Sequence, residues 1–214
     1  MWKPKDITSP AVERYLYSLL PKSGPVLRDM ERYADIHVTP IVGPAVGRLF
    51  FLLTRMAGAK RIFEMGSAIG YSTLWFAEAA GDNAEVHYSD GSEENARRAG
   101  AYFARSGIAD RIRVHVGMAQ QELAKTTGDF DIIFIDVDKE QYPATLKQAI
   151  PRLRRDGLLL ADNTLWSARA AHRAKRGDDE TLGIQEFNRQ VFASKDLYPV
   201  MVPLRDGVTI CRKL

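Results

Sequence analysis

The segment Phe130–Tyr142 reads FDIIFIDVDKEQY. It opens as an apolar run, which is typical of a strand in a parallel sheet that is covered on both faces. Asp136, Asp138, Lys139 and Glu140 then follow within five residues. Charge at this point is expected if the strand carries polar side chains to its carboxyl end, where open α/β sheets bind their ligands.

Short β-rich runs alternate with helical stretches on both sides of this segment. The runs are RIFEM, EVHYS, RIRVHV, FDIIFID and GLLLAD, and the helical stretches lie near residues 71–80, 92–106, 119–125 and 142–153. This alternation predicts right-handed βαβ units and a parallel sheet with helices on both faces. YPVMVPL and GVTICRKL flank the turn residues RDG and predict an antiparallel hairpin. The predicted fold class is α/β, with five parallel strands and the hairpin in one seven-stranded sheet.

The first 58 residues have helical periodicity instead. Ser9 is a candidate N-cap before a helix, a second pattern covers residues 25–36, and a third begins near Pro44. In the third pattern, the apolar side chains of Leu49, Phe50 and Leu53 fit either the core or an interface between two copies of the chain.

The composition indicates one globular domain. The chain has 214 residues, of which 45% are hydrophobic and 27% charged, and its single cysteine excludes an internal disulfide. The N-terminal residues lack the apolar core of a signal peptide, and no apolar stretch approaches the ~20 residues of a membrane span. We therefore expect a cytoplasmic protein without a membrane segment. A net charge of +3 is no nucleic-acid signature by itself.

One local segment departs from this balance. Residues 168–177, ARAAHRAKRG, contain five basic side chains and no acid. They form either a solvated loop or a patch that binds phosphate or carboxylate groups, and the sequence leaves both alternatives open.

The first predicted strand leads into EMGSAIGYS, in which Gly66 and Gly70 bracket a tight turn before a helix. The spacing differs from the GxGxxG of pyrophosphate binders, which argues against a nicotinamide dehydrogenase. The loop is either a plain strand–helix connection or a place where a ligand approaches the backbone.

Glu64 and Asp90 end the first two strands. An acid at the second strand suits ribose hydroxyls, so the pair fits a ligand with a ribose and a cationic amino-acid end, such as S-adenosylmethionine.

Oxygen ligands also end the fourth and fifth predicted strands. Asp136, Asp162 and Asn163 suit Mg²⁺, and the absence of His and Cys beside them argues against zinc. The alternative is that these residues cap local turns and helices. Lys139 is either a general base beside the metal or the partner of Asp138 or Glu140 in a salt bridge.

Four blocks together carry a family resemblance: FEMGSAIGYSTLWFA, FDIIFIDVDKEQYP, GLLLADNTLWS and LRDGVTICRK. From about Ser9 onward the chain resembles the cation-dependent, S-adenosylmethionine-dependent O-methyltransferases, the group of the caffeoyl-CoA and catechol enzymes. The resemblance implies a Rossmann-like class I methyltransferase fold in a single domain, 1–214. It also implies a homodimer, in which residues 1–58 serve the substrate pocket and the dimer and residues 59–214 form the cofactor-binding sheet.

The resemblance further implies a role for each matching residue. Those that would contact the cofactor are Val42, Glu64, Gly66, Ser67, Ser72, Asp90, Ala119 and Asp138. Asp136, Asp162 and Asn163 would bind Mg²⁺, or Mn²⁺ or Ca²⁺ in its place. Lys139 would be the base, with Asp136 as the second catalytic residue, and Trp166 and Ser167 would contact the substrate.

The same resemblance directs the choice of acceptor. A metal held by three protein oxygens favours an aromatic small molecule with two adjacent hydroxyls, as in a catechol. Ser167 stands where some plant members have a substrate-binding Asn, so a plant-type CoA ester is disfavoured. Met118 stands where many members have an acid near the adenine, which alters packing more than chemistry. The alternative acceptor is a hydroxylated uridine of tRNA, for which the basic segment 168–177 would be suited. The complete set of Asp136, Lys139, Asp162 and Asn163 argues against a catalytically inactive binding module.

Overall fold

A computed structural model describes residues 9–214 of the chain. The helices are α1 (Pro10–Leu19), α2 (Pro25–His37), α3 (Gly43–Met56), α4 (Tyr71–Ala80), α5 (Glu93–Ser106), α6 (Ala119–Lys125), α7 (Tyr142–Arg152) and α8 (Asp179–Ala193). The strands are β1 (Arg61–Met65), β2 (Glu85–Asp90), β3 (Ile112–Val116), β4 (Phe130–Ile135), β5 (Leu153–Ala161), β6 (Leu197–Val202) and β7 (Val208–Lys213).

The seven strands of the described residues form one sheet in the order β3-β2-β1-β4-β5-β7-β6. β1 to β5 pair in parallel, whereas β7 is antiparallel to both β5 and β6. The predicted α/β fold class and the terminal hairpin are therefore confirmed. The strand order reverses between β1 and β4, and ligands of open α/β sheets bind at such a reversal.

The core consists of two layers, one on each face of the sheet. Successive strand residues point to opposite faces, so Ile132 joins the apolar cluster of α2 to α5, and Ile133 joins that of α6 to α8. Both side chains are fully buried. This two-sided burial explains why residues 132–135 are all apolar, whereas Asp131, near the start of the strand, accepts hydrogen bonds from the N–H groups of Lys60 and Arg61.

Two elements differ from the expectations. β5 begins at Leu153, before the predicted GLLLAD run, and its register with β4 shifts between Phe130 and Ile132. α8 occupies a stretch for which the sequence pattern predicted no helix. Its N-cap, Asp178, accepts a hydrogen bond from the backbone N–H of Thr181 at 3.2 Å, which satisfies one of the free N–H groups of the first turn.

The apolar side chains of α3 divide between core and surface. Phe50 is buried in the core, whereas Leu49 and Leu53 are partly buried and pack against the same cluster. Leu52 and Met56, on the same helix, are exposed. None of the helices between residues 9 and 214 combines the length and the apolar character needed to cross a membrane. The prediction about a signal peptide concerns mainly residues 1–8, which lie outside the described part.

Candidate active site

A cavity of about 550 Å³ opens at the carboxyl ends of the parallel strands, at the reversal between β1 and β4. Its wall is built mainly from the loops that follow β1 to β5, with contributions from the segment before α3, from Glu180 of α8 and from Arg205 between β6 and β7. The predicted site residues that line it are Val42, Gly66, Ser67, Ser72, Asp90, Ala119, Asp136, Asp138, Lys139, Asn163 and Trp166. The fold therefore brings together most of the residues that the sequence predicted for the site.

The loop after β1 is held by backbone hydrogen bonds to β2. The N–H groups of Gly66 and Ser67 both donate to the carbonyl of Ser89, at 3.1 and 3.0 Å. Gly66 and Gly70 have φ values of 87° and 82°, in the left-handed region that favours glycine. The loop therefore needs glycine at both positions to turn from the strand into α4.

Glu64 lies behind the cavity wall. Its side chain is 0% exposed, and its two carboxylate oxygens accept hydrogen bonds from the hydroxyls of Ser72 and Thr73. Burial raises the pKa of Glu64 to about 7, although the hydrogen bonds from Ser72, Thr73 and Ser67 act in the opposite direction. Glu64 thus holds the start of α4, including Ser72 of the cavity wall, and its direct contact with a cofactor stays a prediction.

Asp90, in contrast, faces the cavity with its carboxylate fixed by three donors. The backbone N–H of Ala68 donates to Oδ2 at 2.9 Å, and the N–H of Ser92 and the Nδ2 of Asn95 donate to Oδ1 at 2.9 and 3.1 Å. Each carboxylate oxygen can accept more than one hydrogen bond. A preoriented carboxylate at the end of β2 can therefore bind the two adjacent hydroxyls of a ribose.

Lys139 forms a polar cluster with Asp136 and Tyr142. Its Nζ lies 2.8 Å from Oδ1 of Asp136, 3.0 Å from the hydroxyl of Tyr142 and 3.2 Å from the carbonyl of Val137. The Lys139 side chain is 11% exposed and borders the cavity. Of the sequence-based alternatives, a salt bridge to Asp138 or Glu140 is not formed, and Lys139 pairs with Asp136.

Tyr142 is a member of this cluster that the sequence patterns did not single out. It is fully buried, and its hydroxyl donates to the backbone carbonyl of Asp162 at 3.0 Å while it accepts from Lys139. Tyr142 therefore connects the end of β4 to the end of β5.

Asp162 and Asn163 end β5 beside this cluster. Asp162 is 1% exposed; its Oδ2 lies 3.0 Å from Nη1 of Arg205, and its Oδ1 has no hydrogen-bond partner. Nδ2 of Asn163 donates to Asp206 at 3.3 Å, which leaves the amide oxygen free. Burial and the charge of Asp136 raise the pKa of Asp162, and Arg205 opposes both effects.

An unpartnered buried carboxylate oxygen costs free energy unless a cation or a proton compensates it. The free oxygens of Asp162 and Asn163, with Asp136 close by, therefore fit a hard divalent cation such as Mg²⁺. Among residues 9–214, no group of three or more His, Cys, Asp or Glu side chains is arranged to hold a metal ion. The predicted set consists of two carboxylates and one amide, and therefore contains only two side chains of these four types.

Ser167 and the basic segment lie away from the centre of the site. Ser167 is exposed and does not line the cavity, because the loop of residues 166–168 has left-handed φ angles and fastens the Ser167 N–H to Asp206. The predicted substrate contact of Ser167 stays a prediction. In the basic segment, Arg169 pairs with Asp178 at 2.5 Å and covers the ring of Trp166 at 5.1 Å. At least this arginine has a structural partner.

Comparisons with known proteins agree with this geometry. The model of a family described as O-methyltransferase matches residues 25–214. A protein of Mycobacterium avium (strain 104), assigned as an O-methyltransferase, is 33% identical over 180 residues, which cover 83% of this chain and 80% of that protein.

Two solved structures are similar along nearly the whole chain. One is the O-methyltransferase from Bacillus cereus in complex with SAH, with a TM-score of 0.86, 26% identity and coverage of 95% of this chain and 97% of that one. The other is the O-methyltransferase TomG from Streptomyces achromogenes, involved in tomaymycin synthesis and in complex with SAM. Its TM-score is 0.85 and its identity 25%, with coverage of 95% of this chain and 96% of that one.

Proposed function

This chain belongs to the O-methyltransferase family, and we propose that it transfers the methyl group of S-adenosylmethionine (SAM) to a hydroxyl of a catechol-like small molecule in a Mg²⁺-dependent reaction. The observation that carries the proposal is the meeting of two groups of residues in one cavity. The glycine loop and Asp90 form one side, and Asp136, Lys139 and Asn163 form the other. A donor and an acceptor bound on these two sides would be adjacent.

On the cofactor side, SAM supplies a methyl group on a positively charged sulfur. Asp90 would accept hydrogen bonds from the ribose hydroxyls, and the loop Gly66–Ser67 would approach the methionine part closely. Asp138 would meet the amino group, Ala119 would contact the adenine, and Val42 would close the cavity from the N-terminal side. Bacillus cereus and Streptomyces relatives bound to SAH and SAM support this assignment.

On the acceptor side, Lys139 is the candidate base. Its Nζ is positioned by the Asp136 carboxylate and the Tyr142 hydroxyl, and in its neutral form the amine would take a proton from an acceptor hydroxyl that reaches the same oxygens. Trp166 would pack against the aromatic ring of the acceptor. Binding both partners in line contributes by positioning alone several orders of magnitude in rate.

Asp136, Asp162 and Asn163 would hold the Mg²⁺. When bound there, a divalent cation would chelate two adjacent acceptor oxygens and stabilise negative charge on the one that is methylated. The free oxygen of Asp162 is the observation that supports this site. Such chelation would favour acceptors with two adjacent hydroxyls.

The test is methyl transfer from labelled SAM to caffeic acid, and in parallel to tRNA that lacks its own modification, each with Mg²⁺ and with EDTA. Label that enters caffeic acid only with Mg²⁺ is the expected result. Preferential labelling of tRNA would identify a hydroxylated uridine as the acceptor. It would also indicate that tRNA binds the exposed basic side chains His172, Arg173, Lys175 and Arg176. Transfer to caffeic acid that survives EDTA would contradict the metal dependence.

We also propose that residues 1–58 serve both the acceptor pocket and a homodimer. Val42 lines the cavity, which supports the first role, and the exposed Leu52 and Met56 on α3 support the second. Sedimentation equilibrium of the wild type and of a variant with Leu52→Glu and Met56→Glu tests the dimer. A dimer is expected for the wild type and a monomer for the variant.

A further inference from the structure

Arg205 enters the candidate site from a part of the chain that the sequence analysis treated only as a turn. It lies between β6 and β7 with φ at 53°, a left-handed conformation that residues with side chains adopt rarely. Its side chain is 33% exposed and borders the cavity. The backbone of the turn is therefore unusual at Arg205, and the guanidinium group of this residue points toward the end of β5.

The group that Arg205 contacts is a buried carboxylate. Nη1 of Arg205 lies 3.0 Å from Oδ2 of Asp162, whose side chain is 1% exposed. The other oxygen, Oδ1, is the one without a hydrogen-bond partner. One oxygen of Asp162 is thus compensated by the protein itself, while the other oxygen is buried and unpartnered.

We propose that Arg205 is a resident counter-ion of the candidate metal site: it compensates Asp162 when no metal is bound and keeps the affinity for divalent cations low. This inference rests on the proposed function, because it concerns the same metal site. It adds a residue of this chain that sets how tightly that site binds its ion.

The pairing of the two candidate carboxylate ligands supports the proposal. Asp136 is paired with Lys139 at 2.8 Å, and Asp162 is paired with Arg205 at 3.0 Å. Each of the two carboxylates therefore has one cationic partner from the chain itself. A divalent cation that binds Oδ1 of Asp162 would lie within several ångströms of the guanidinium, and such repulsion is strong at a buried site.

The test is the binding of Mn²⁺ to the full chain after its metals have been removed with EDTA and dialysis. Titration calorimetry or the spectrum of free Mn²⁺ gives the affinity without any turnover. We expect Arg205→Gln to bind Mn²⁺ at least about tenfold more tightly than the wild type, because one repelling charge is removed. Arg205→Lys keeps the charge and should remain within about threefold of the wild type.

Two further variants locate the effect. Arg212, on β7, pairs with Asp156 at the surface, so Arg212→Gln removes an arginine salt bridge from the same hairpin outside the site. It should leave the Mn²⁺ affinity unchanged. Asp162→Asn should abolish the binding, which places the ion at this carboxylate.

Thermal unfolding provides a second readout. In EDTA, Arg205→Gln leaves Asp162 buried without its partner, and the loss of one partner of a buried pair should lower Tm by roughly 6 to 12 °C. Saturating Mn²⁺ should restore most of this difference, since the ion then compensates the carboxylate.

The outcomes separate this inference from the proposed function. Equal or weaker Mn²⁺ binding by Arg205→Gln, with binding still lost in Asp162→Asn, would overturn the role of Arg205 and leave the metal site intact. No Mn²⁺ binding by any form would remove the metal site and this inference together. Tighter binding by Arg205→Gln alone, lost in Asp162→Asn, is the result that establishes the role.

Discussion

Gly66 lies so close to Asp136 that a β-carbon on Gly66 would be 2.3 Å from the backbone carbonyl oxygen of Asp136. The loop that would hold the cofactor therefore rests directly on the end of the strand that carries the base and one candidate metal ligand. The two halves of the site share backbone contact, and a shift of one would displace the other.

Replacement of Gly66 by Ala should therefore damage both halves. The new methyl group meets a backbone carbonyl, and φ at 87° is unfavourable for a residue with a side chain. We expect a loss of roughly 2 to 3 kcal/mol in the free energy of unfolding and weaker SAM binding. Chemical denaturation and calorimetry measure the two effects. Gly100→Ala in α5 is the control, since its β-carbon has open space, and it should gain up to about 1 kcal/mol.

Replacement of Lys139 by Met should remove the base and keep most of the packing. We expect kcat to fall by roughly 10² to 10⁴, with SAM binding little changed, as measured by labelled methyl transfer and by calorimetry. Lys147→Met, on the exposed face of α7, is the matched control and should keep wild-type turnover. Near-normal turnover of Lys139→Met would exclude Lys139 as the base.

Replacement of Tyr142 by Phe should act on the position of Lys139. The phenol ring stays, but the hydroxyl that contacts Lys139 and the carbonyl of Asp162 is lost. We expect about a tenfold lower kcat and a loss of about 1 to 2 kcal/mol in stability. Tyr198→Phe on β6 is the control, since Tyr198 is 71% exposed, and it should change neither quantity. An unchanged kcat in Tyr142→Phe would show that Lys139 is positioned without it.

A pH dependence of stability is expected from His87, away from the cavity. Its Nδ1 lies 2.9 Å from Nε2 of His115, and its Nε2 lies 2.5 Å from Glu85. Burial lowers the pKa of His87 from 6.5 to about 4, and Glu85 acts in the opposite direction. Between these two pH values the unfolded chain binds a proton that the folded chain does not. The stability contribution is therefore complete above about pH 6.5 and is lost as the pH falls toward 4.

The measurement is the free energy of unfolding from pH 8 to pH 4 for the wild type and for His87→Gln. The wild type should lose on the order of 3 kcal/mol more than the variant over this interval. The difference between the two proteins is the informative quantity, because Glu64, with its raised pKa, gives the opposite slope in the same range. His37→Gln, at an exposed position, should follow the wild type, and parallel curves for wild type and His87→Gln would refute the assignment.

The sequence predicted the residues whose positions follow from strand ends. Asp90 ends β2 and Asp136 directly follows β4, so a parallel sheet carries both to one edge. Glu64 shows the limit of this reasoning, because it belongs to the last part of β1 but faces α4, and the direction of a side chain at a strand end depends on where the strand stops. The outward direction of the Ser167 loop was likewise not predictable, since it depends on three consecutive left-handed residues.

Local sequence patterns could not predict the contact that Arg205 makes. It contacts a residue 43 positions earlier in the chain, through a pairing of β7 with β5 that periodicity cannot reveal. A turn signal such as RDG predicts that the chain reverses, but it does not predict which side chain points into the sheet edge. α8 was not predicted although its sequence carries start signals, an N-cap at Asp178 and the acidic residues Asp179 and Glu180 in the first turn.

The insertion of β7 between β5 and β6 has a consequence for the order in which the molecule is made. α1 to β6 are synthesised before Arg205 and β7. A nascent chain that has reached residue 204 therefore contains Asp162 without its guanidinium partner and β5 without its outer neighbour. An exposed strand edge and an uncompensated carboxylate then coexist in the partly synthesised protein. Synthesis of the segment from Arg205 to β7 therefore supplies both the outer neighbour of β5 and the partner of Asp162.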